Sequence, residues 1–139
     1  MADPFNLQRF VDAQAEVYDR VRAELRAGAK RGHWIWFIFP QHSALGHSQT
    51  AKHFGIGSLD EARAYLAHPV LGPRLRECAR LVSAVRGRTI NAMFGSPDDL
   101  KVRSSMTLFA EATDDDADFT AVLDKYYGGE PDPRTLELL

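Results

Sequence analysis

With Cys78 as its only cysteine, this 139-residue chain can form no intrachain disulfide and must be held together by buried apolar surface. At this length and 45% hydrophobic composition it buries about two thirds of its unfolded surface and needs no staple. Long apolar runs are missing as well. The longest, residues 34–39, falls far short of the roughly 20 residues that cross a bilayer. The sequence opens without a basic segment followed by an apolar stretch, so no leader peptide is expected. Lone thiol and missing spans together suit a soluble cytoplasmic protein.

Charge of one sign does not dominate, since 17 basic groups face 19 acidic ones for a net −2, but its distribution is uneven. Residues 71–110 are mostly basic and residues 111–139 mostly acidic. Such blocks either face solvent and neutralise each other or form separate positive and negative faces. Domains that bind nucleic acid are usually far more basic, so nucleic acid is not an expected partner.

Also absent is a second run of alternating β-branched residues. A lone strand over residues 34–39 would leave its backbone groups unpaired, so that aromatic block is expected to be a buried helical turn ended by Pro40. The remaining punctuation is that of short helices. Asn6 is placed to cap a helix in which Leu7, Phe10, Val11, Gln14, Val17, Tyr18, Val21 and Leu25 recur every three or four residues until Gly28. Residues 41–58, rich in glycine and histidine, read as loop with one short helix near 48–54.

Ser58 and Glu61 form a capping-box pattern, and His68-Pro69 closes that helix. Leu75, Cys78, Ala79, Leu81, Val82 and Val85 stripe the next one, ended by Gly87. Residues 89–94 make a short turn of helix before Gly95. Ser96-Pro97-Asp98-Asp99 reads as a serine cap, a proline at the first helical position and carboxylates at the positive helix end. A helix from about residue 117 stops at Gly128-Gly129, and Asp132-Pro133 starts a last one. The expectation is an all-α single compact domain spanning 1–139, with about seven to eight short helices and no repeat or linker.

Several chemistries lack their signatures. His42, His47 and His53 stand five and six residues apart in a flexible segment, without a His-Glu-x-x-His or paired-cysteine pattern, so no metal site is expected. Gly46, Gly55 and Gly57 lack the strand-then-helix setting of phosphate-binding loops, and no cofactor is implied. Cys78 falls on an apolar stripe, where an inert thiol belongs. Ser104 and Ser105, beside Lys101 and Arg103, read as small packing residues before they read as activated nucleophiles.

What the chain does have is an aromatic block, His33-Trp34-Ile35-Trp36-Phe37-Ile38-Phe39-Pro40-Gln41, holding both tryptophans and preceded by Lys30 and Arg31. Two readings follow. The block is either core, or the wall of a pocket in which Lys30, Arg31, His33, Trp34, Trp36, Gln41 and Ser48 meet Lys101, Arg103, Ser104 and Ser105 from across the domain. Such a pocket would suit a planar, phosphorylated, nucleotide-like ligand, with His33 as candidate proton shuttle.

The residues at 5–11, 24–41, 45–46, 58–66, 71–75 and 94–109, above all the aromatic block with its trailing Pro40-Gln41, resemble the domain-of-unknown-function 1810 family of small bacterial proteins. The resemblance covers nearly the whole chain and implies an all-helical fold without an established activity, hence a binding or interaction module. Some members carry the label calpastatin, which implies protease inhibition; such inhibitors are long and disordered, unlike this core-rich chain. A small helical architecture is also similar to that of the YbiA-like, or NADAR, domains, which implies the alternative of an enzyme or binder acting on an ADP-ribose-like ligand.

Overall fold

The helix Asp98–Glu111 buries six consecutive residues, Ser104 to Phe109, a pattern no amphipathic surface helix can show. A helix covered on all sides must lie inside the domain, and the other helices are arranged around this one. A computed structural model describes residues 2–139. In chain order its helices are α1 (Gln8–Gln14), α2 (Tyr18–Ala27), α3 (Ile35–Ile38), α4 (Gln49–His53), α5 (Leu59–Ala67), α6 (Leu71–Ala84), α7 (Ile90–Phe94), α8 (Asp98–Glu111), α9 (Ala117–Tyr127) and α10 (Pro133–Leu138). A single 3-10 turn, Ser43–Leu45, precedes α4. Central α8 packs against α3, α5, α7, α9 and α10, while α6 joins α2, α5 and α9 into the same core.

The domain is all-helical as expected; among the described residues the only extended pairing is an isolated parallel bridge between His42 and Ile56. The ten α-helices exceed the expected number, partly because the first periodic stretch is broken. Residues 15–17 contain no proline or glycine, yet Val17 N–H donates to Gln14 O and the chain turns there. The break lets α1 pack on α3 and α2 on α6. It also buries Gln14, whose Nε2 donates to Phe37 O at 2.7 Å and to the Tyr65 hydroxyl.

Side-chain caps explain three helix starts. Ser48, Ser58 and Thr89 each accept a backbone N–H of the first turn. At two starts the expected cap does not form. Asn6 adopts φ 52°, and the carboxylate of Asp3 takes its place, accepting from Leu7 N and Gln8 N. Ser96, joined to Pro97 by a cis peptide bond, caps nothing; Pro97 stands at the N-cap position instead of the first helical one, no side chain caps the helix, and it begins at Asp98. Where α5 meets α6 the two backbones touch: a methyl on Gly72 would lie 2.1 Å from Leu66 O, so only hydrogen fits.

Candidate functional site

The aromatic block is anchored by one carboxylate. α2 ends at Gly28 in the left-handed conformation, φ 67°, and the chain doubles back so that Glu24 Oε1 accepts from Arg31 N at 2.7 Å, Gly32 N at 2.9 Å and Trp34 Nε1 at 3.0 Å. Gly32 has to be glycine, because a methyl there would lie 2.8 Å from the Trp34 ring. Burial alone would raise the Glu24 pKa, but the bonds from Gly32, Arg31 and Trp34 outweigh it and hold the carboxyl below its usual 4.5. A carboxylate with a lowered folded-state pKa adds stability above its unfolded pKa, and that stability fades as pH falls through the folded value. Glu24→Gln should therefore melt below wild type at neutral pH, with the gap closing below about pH 4.5. Thermal denaturation across pH 3–7 checks this, and a pH-independent gap would refute the anchoring role of the charge.

The two indoles held by this turn differ sharply. Trp34 is 3% exposed and packs edge-on against Phe94 and tilted against Phe39, so it is core. Trp36 is only partly buried. A cation accompanies each: Lys30 Nζ lies 5.1 Å from the Trp34 ring centre and Lys101 Nζ 5.4 Å from that of Trp36. Asp98 ties them together, accepting from Lys30 Nζ at 2.8 Å and from Lys101 Nζ at 3.3 Å. Two ammoniums against one carboxylate leave one positive charge. The Lys30 side chain is 7% exposed and that of Lys101 24%, so Lys101 is the cation within reach of a ligand while Lys30 fixes the geometry.

The structure thus brings Lys30, Trp34, Trp36 and Lys101 together, with Arg31 and His33 exposed on the turn beside them. Other candidates serve elsewhere. Arg103 donates to Glu130 O and Pro131 O, and Ser104 Oγ to Leu100 O and Asp132 Oδ2, so both hold the C-terminal segment. Ser105 is fully buried and its hydroxyl has no hydrogen-bond partner among the described residues. Ser48 caps α4 at the surface, and Gln41 contributes its carbonyl to Ile56 N. Asp98 was missed as a site residue; its spacing of three from Lys101 on one helix was the available signal.

Other reactive groups are quiet. Burial pushes the Cys78 thiol up to about 12, beside a Tyr18 hydroxyl whose own pKa is raised by burial and by the neighbouring thiol and Glu77. No group of three potential metal ligands occurs among the described residues. A cleft of about 520 Å³ lies at the N-terminal end and includes Asp3 and His68. Its polar groups are already engaged: Asp3 caps α1, and His68 Nδ1 accepts from Val70 N and Leu71 N.

A crystal structure of the conserved hypothetical protein Rv1873 from Mycobacterium tuberculosis is similar to this chain at 63% sequence identity and a TM-score of 0.97, covering 99% of this chain and 98% of that one. None of the curated proteins compared matches the chain. A family model described as a protein of unknown function, DUF1810, matches residues 4–139. With nearly its whole length matched, the chain belongs to the DUF1810 family.

Proposed function

We propose that the chain is a cytoplasmic binding module that receives a planar, phosphorylated, nucleotide-like ligand on the face of Trp36. One observation carries this reading: Trp36, the indole that is not fully buried, has a lysine ammonium 5.4 Å from its ring centre. An indole face stacks on a planar heterocycle, and an ammonium beside it contacts a phosphate. The ion pair with Asp98 preorganises the ammonium, which lowers the cost of binding. Asp98 holds Lys101 over the ring and would have to share it with an incoming anion. The catalytic alternative uses the same site, with His33, exposed three residues before Trp36, moving a proton on an ADP-ribose-like substrate.

The test is thermal-shift and calorimetric titration with AMP, ADP-ribose and adenosine, on wild type, Trp36→Leu and Lys101→Ala. A ligand that binds only the folded state raises Tm by mass action. The phosphorylated ligands should raise Tm, adenosine should bind more weakly, and Trp36→Leu should lose roughly tenfold or more in affinity, the worth of one stacking contact. Lys101→Ala should narrow the gap between AMP and adenosine. A shift with none of the three, or one undiminished in a folded Trp36→Leu, overturns the proposal.

A further inference from the structure

The basic middle and acidic tail of the sequence neutralise each other only in part. Arg76 and Arg80 on α6 reach Asp118 on α9, and Arg76 also approaches Asp115. Arg26, Arg31, Arg86 and Arg88 are exposed and enter no ion pair among the described residues. Arg88 lies against the end of α2, and the other three are close in the chain to Gly28 or to Arg88. A methyl on Gly28 would lie 2.9 Å from Val85 Cγ1 and 3.1 Å from Arg88 Cδ, so the end of α2 abuts the loop after α6. Arg26 and Arg31 stand two and three residues from Gly28, and Arg86 two from Arg88.

A chain of contacts links this corner to the Trp36 site. Lys30, next to Arg31, donates its backbone N–H to Met93 O and its ammonium to Asp98, which holds Lys101 over Trp36. Three carboxylates along this path are occupied. Glu24 takes three donors, Asp98 two ammoniums, and Asp99 the Leu100 N–H and the Asn91 amide. The strip therefore begins with four guanidiniums free of carboxylate partners and ends on an indole face.

Resting on the Trp36 reading, we infer that the ligand is a segment of single-stranded nucleic acid, its base stacked on Trp36 and its phosphates running toward Arg31, Arg26, Arg86 and Arg88. A mononucleotide would use one end of the strip and leave the arginines idle. Guanidinium forks match phosphate oxygens, and a planar base stacks on an indole as the carboxylates of an acidic polypeptide do not. A duplex keeps its bases stacked inside, so only an unpaired strand can present one to Trp36. Overall charge speaks against a nucleic-acid partner, and the unpaired arginines alone are the ground for departing from that expectation; with a net charge of −2 the attraction is local and sensitive to salt.

Fluorescence anisotropy with labelled single-stranded DNA and RNA of about ten nucleotides tests this, titrated between about 50 and 200 mM salt. The oligonucleotides should bind at least about tenfold tighter than AMP at low salt, with a log–log salt slope near −3 for about four phosphate contacts. The triple variant Arg26→Gln/Arg31→Gln/Arg86→Gln, which spares the Arg88 bond to Ala92 O, should lower the slope by about 2. Trp36→Leu should weaken both ligands.

An oligonucleotide no tighter than AMP overturns this inference while the Trp36 reading stands; absence of binding to either overturns both. An unchanged salt slope in the triple variant, tighter binding to duplex than to single strand, or equal competition by polyglutamate also refutes it.

Discussion

Replacing Arg9 by alanine should cost about 3–5 kcal/mol of stability, the range seen when one partner of a buried ion pair is removed. The Arg9 and Glu61 side chains are 10% and 9% exposed, and Nη2 lies 2.8 Å from Glu61 Oε2. The same guanidinium donates to four carbonyls, those of Phe5, Asn6, His53 and Gly55, and lies 4.3 Å from the centre of the Phe10 ring. Alanine therefore strands Glu61 with little besides Gly57 N and unties α1 from the segment after α4. For a domain of this size the loss corresponds to a fall in Tm of roughly 10–20 °C. Urea denaturation measures it, and an Arg9→Met/Glu61→Leu double variant should recover part, because an apolar pair leaves no buried charge behind. A loss under about 1 kcal/mol would mean that the pair behaves as an exposed one.

Phe109→Ala should be comparably severe, at about 3–5 kcal/mol. Phe109 is fully buried on α8, its ring 5.2 Å from that of Tyr65 and 6.1 Å from that of Phe119. Tyr65 in turn meets Phe10 edge-on at 5.1 Å. These contacts run from α1 through α5 and α8 to α9, so the cavity opens where four helices join and none can close over it alone. Phe109→Leu, which keeps much of the volume, should cost less than half as much. Equal losses for the two variants in urea denaturation would show that ring contacts, and not cavity volume, set the cost.

How much of this was legible before the structure depends on whether the controlling contact is local. Gly28, Gly95 and Gly128 end helices at positive φ, and Ser48, Ser58 and Thr89 begin them, because those signals act within a few residues. The break at residues 15–17 had no local signal; it follows from Gln14 reaching Phe37 and Tyr65, contacts 23 and 51 residues away in sequence. The Ser58–Glu61 box formed only in half. Glu61 Oε1 accepts from Gly57 N while Oε2 turns to Arg9, so a distant cation redirected a local motif. At the site, the nearness of Lys30 and Lys101 depends on α7 and α8 folding back onto the turn after α2. The sequence offers the residues for that meeting, and the shared Asp98 creates it.

The contrast between the two indoles gives the molecule a built-in optical pair. Trp34, sealed among phenylalanines with its N–H bound to Glu24, is an emitter shielded from water whose colour changes only when the domain comes apart. Trp36, partly bathed in solvent beneath an ammonium, is open to small quenchers and to anything that covers it. Collisional quenching of unlabelled protein thus separates loss of the native state from occupancy of its surface, in one cuvette and without a dye.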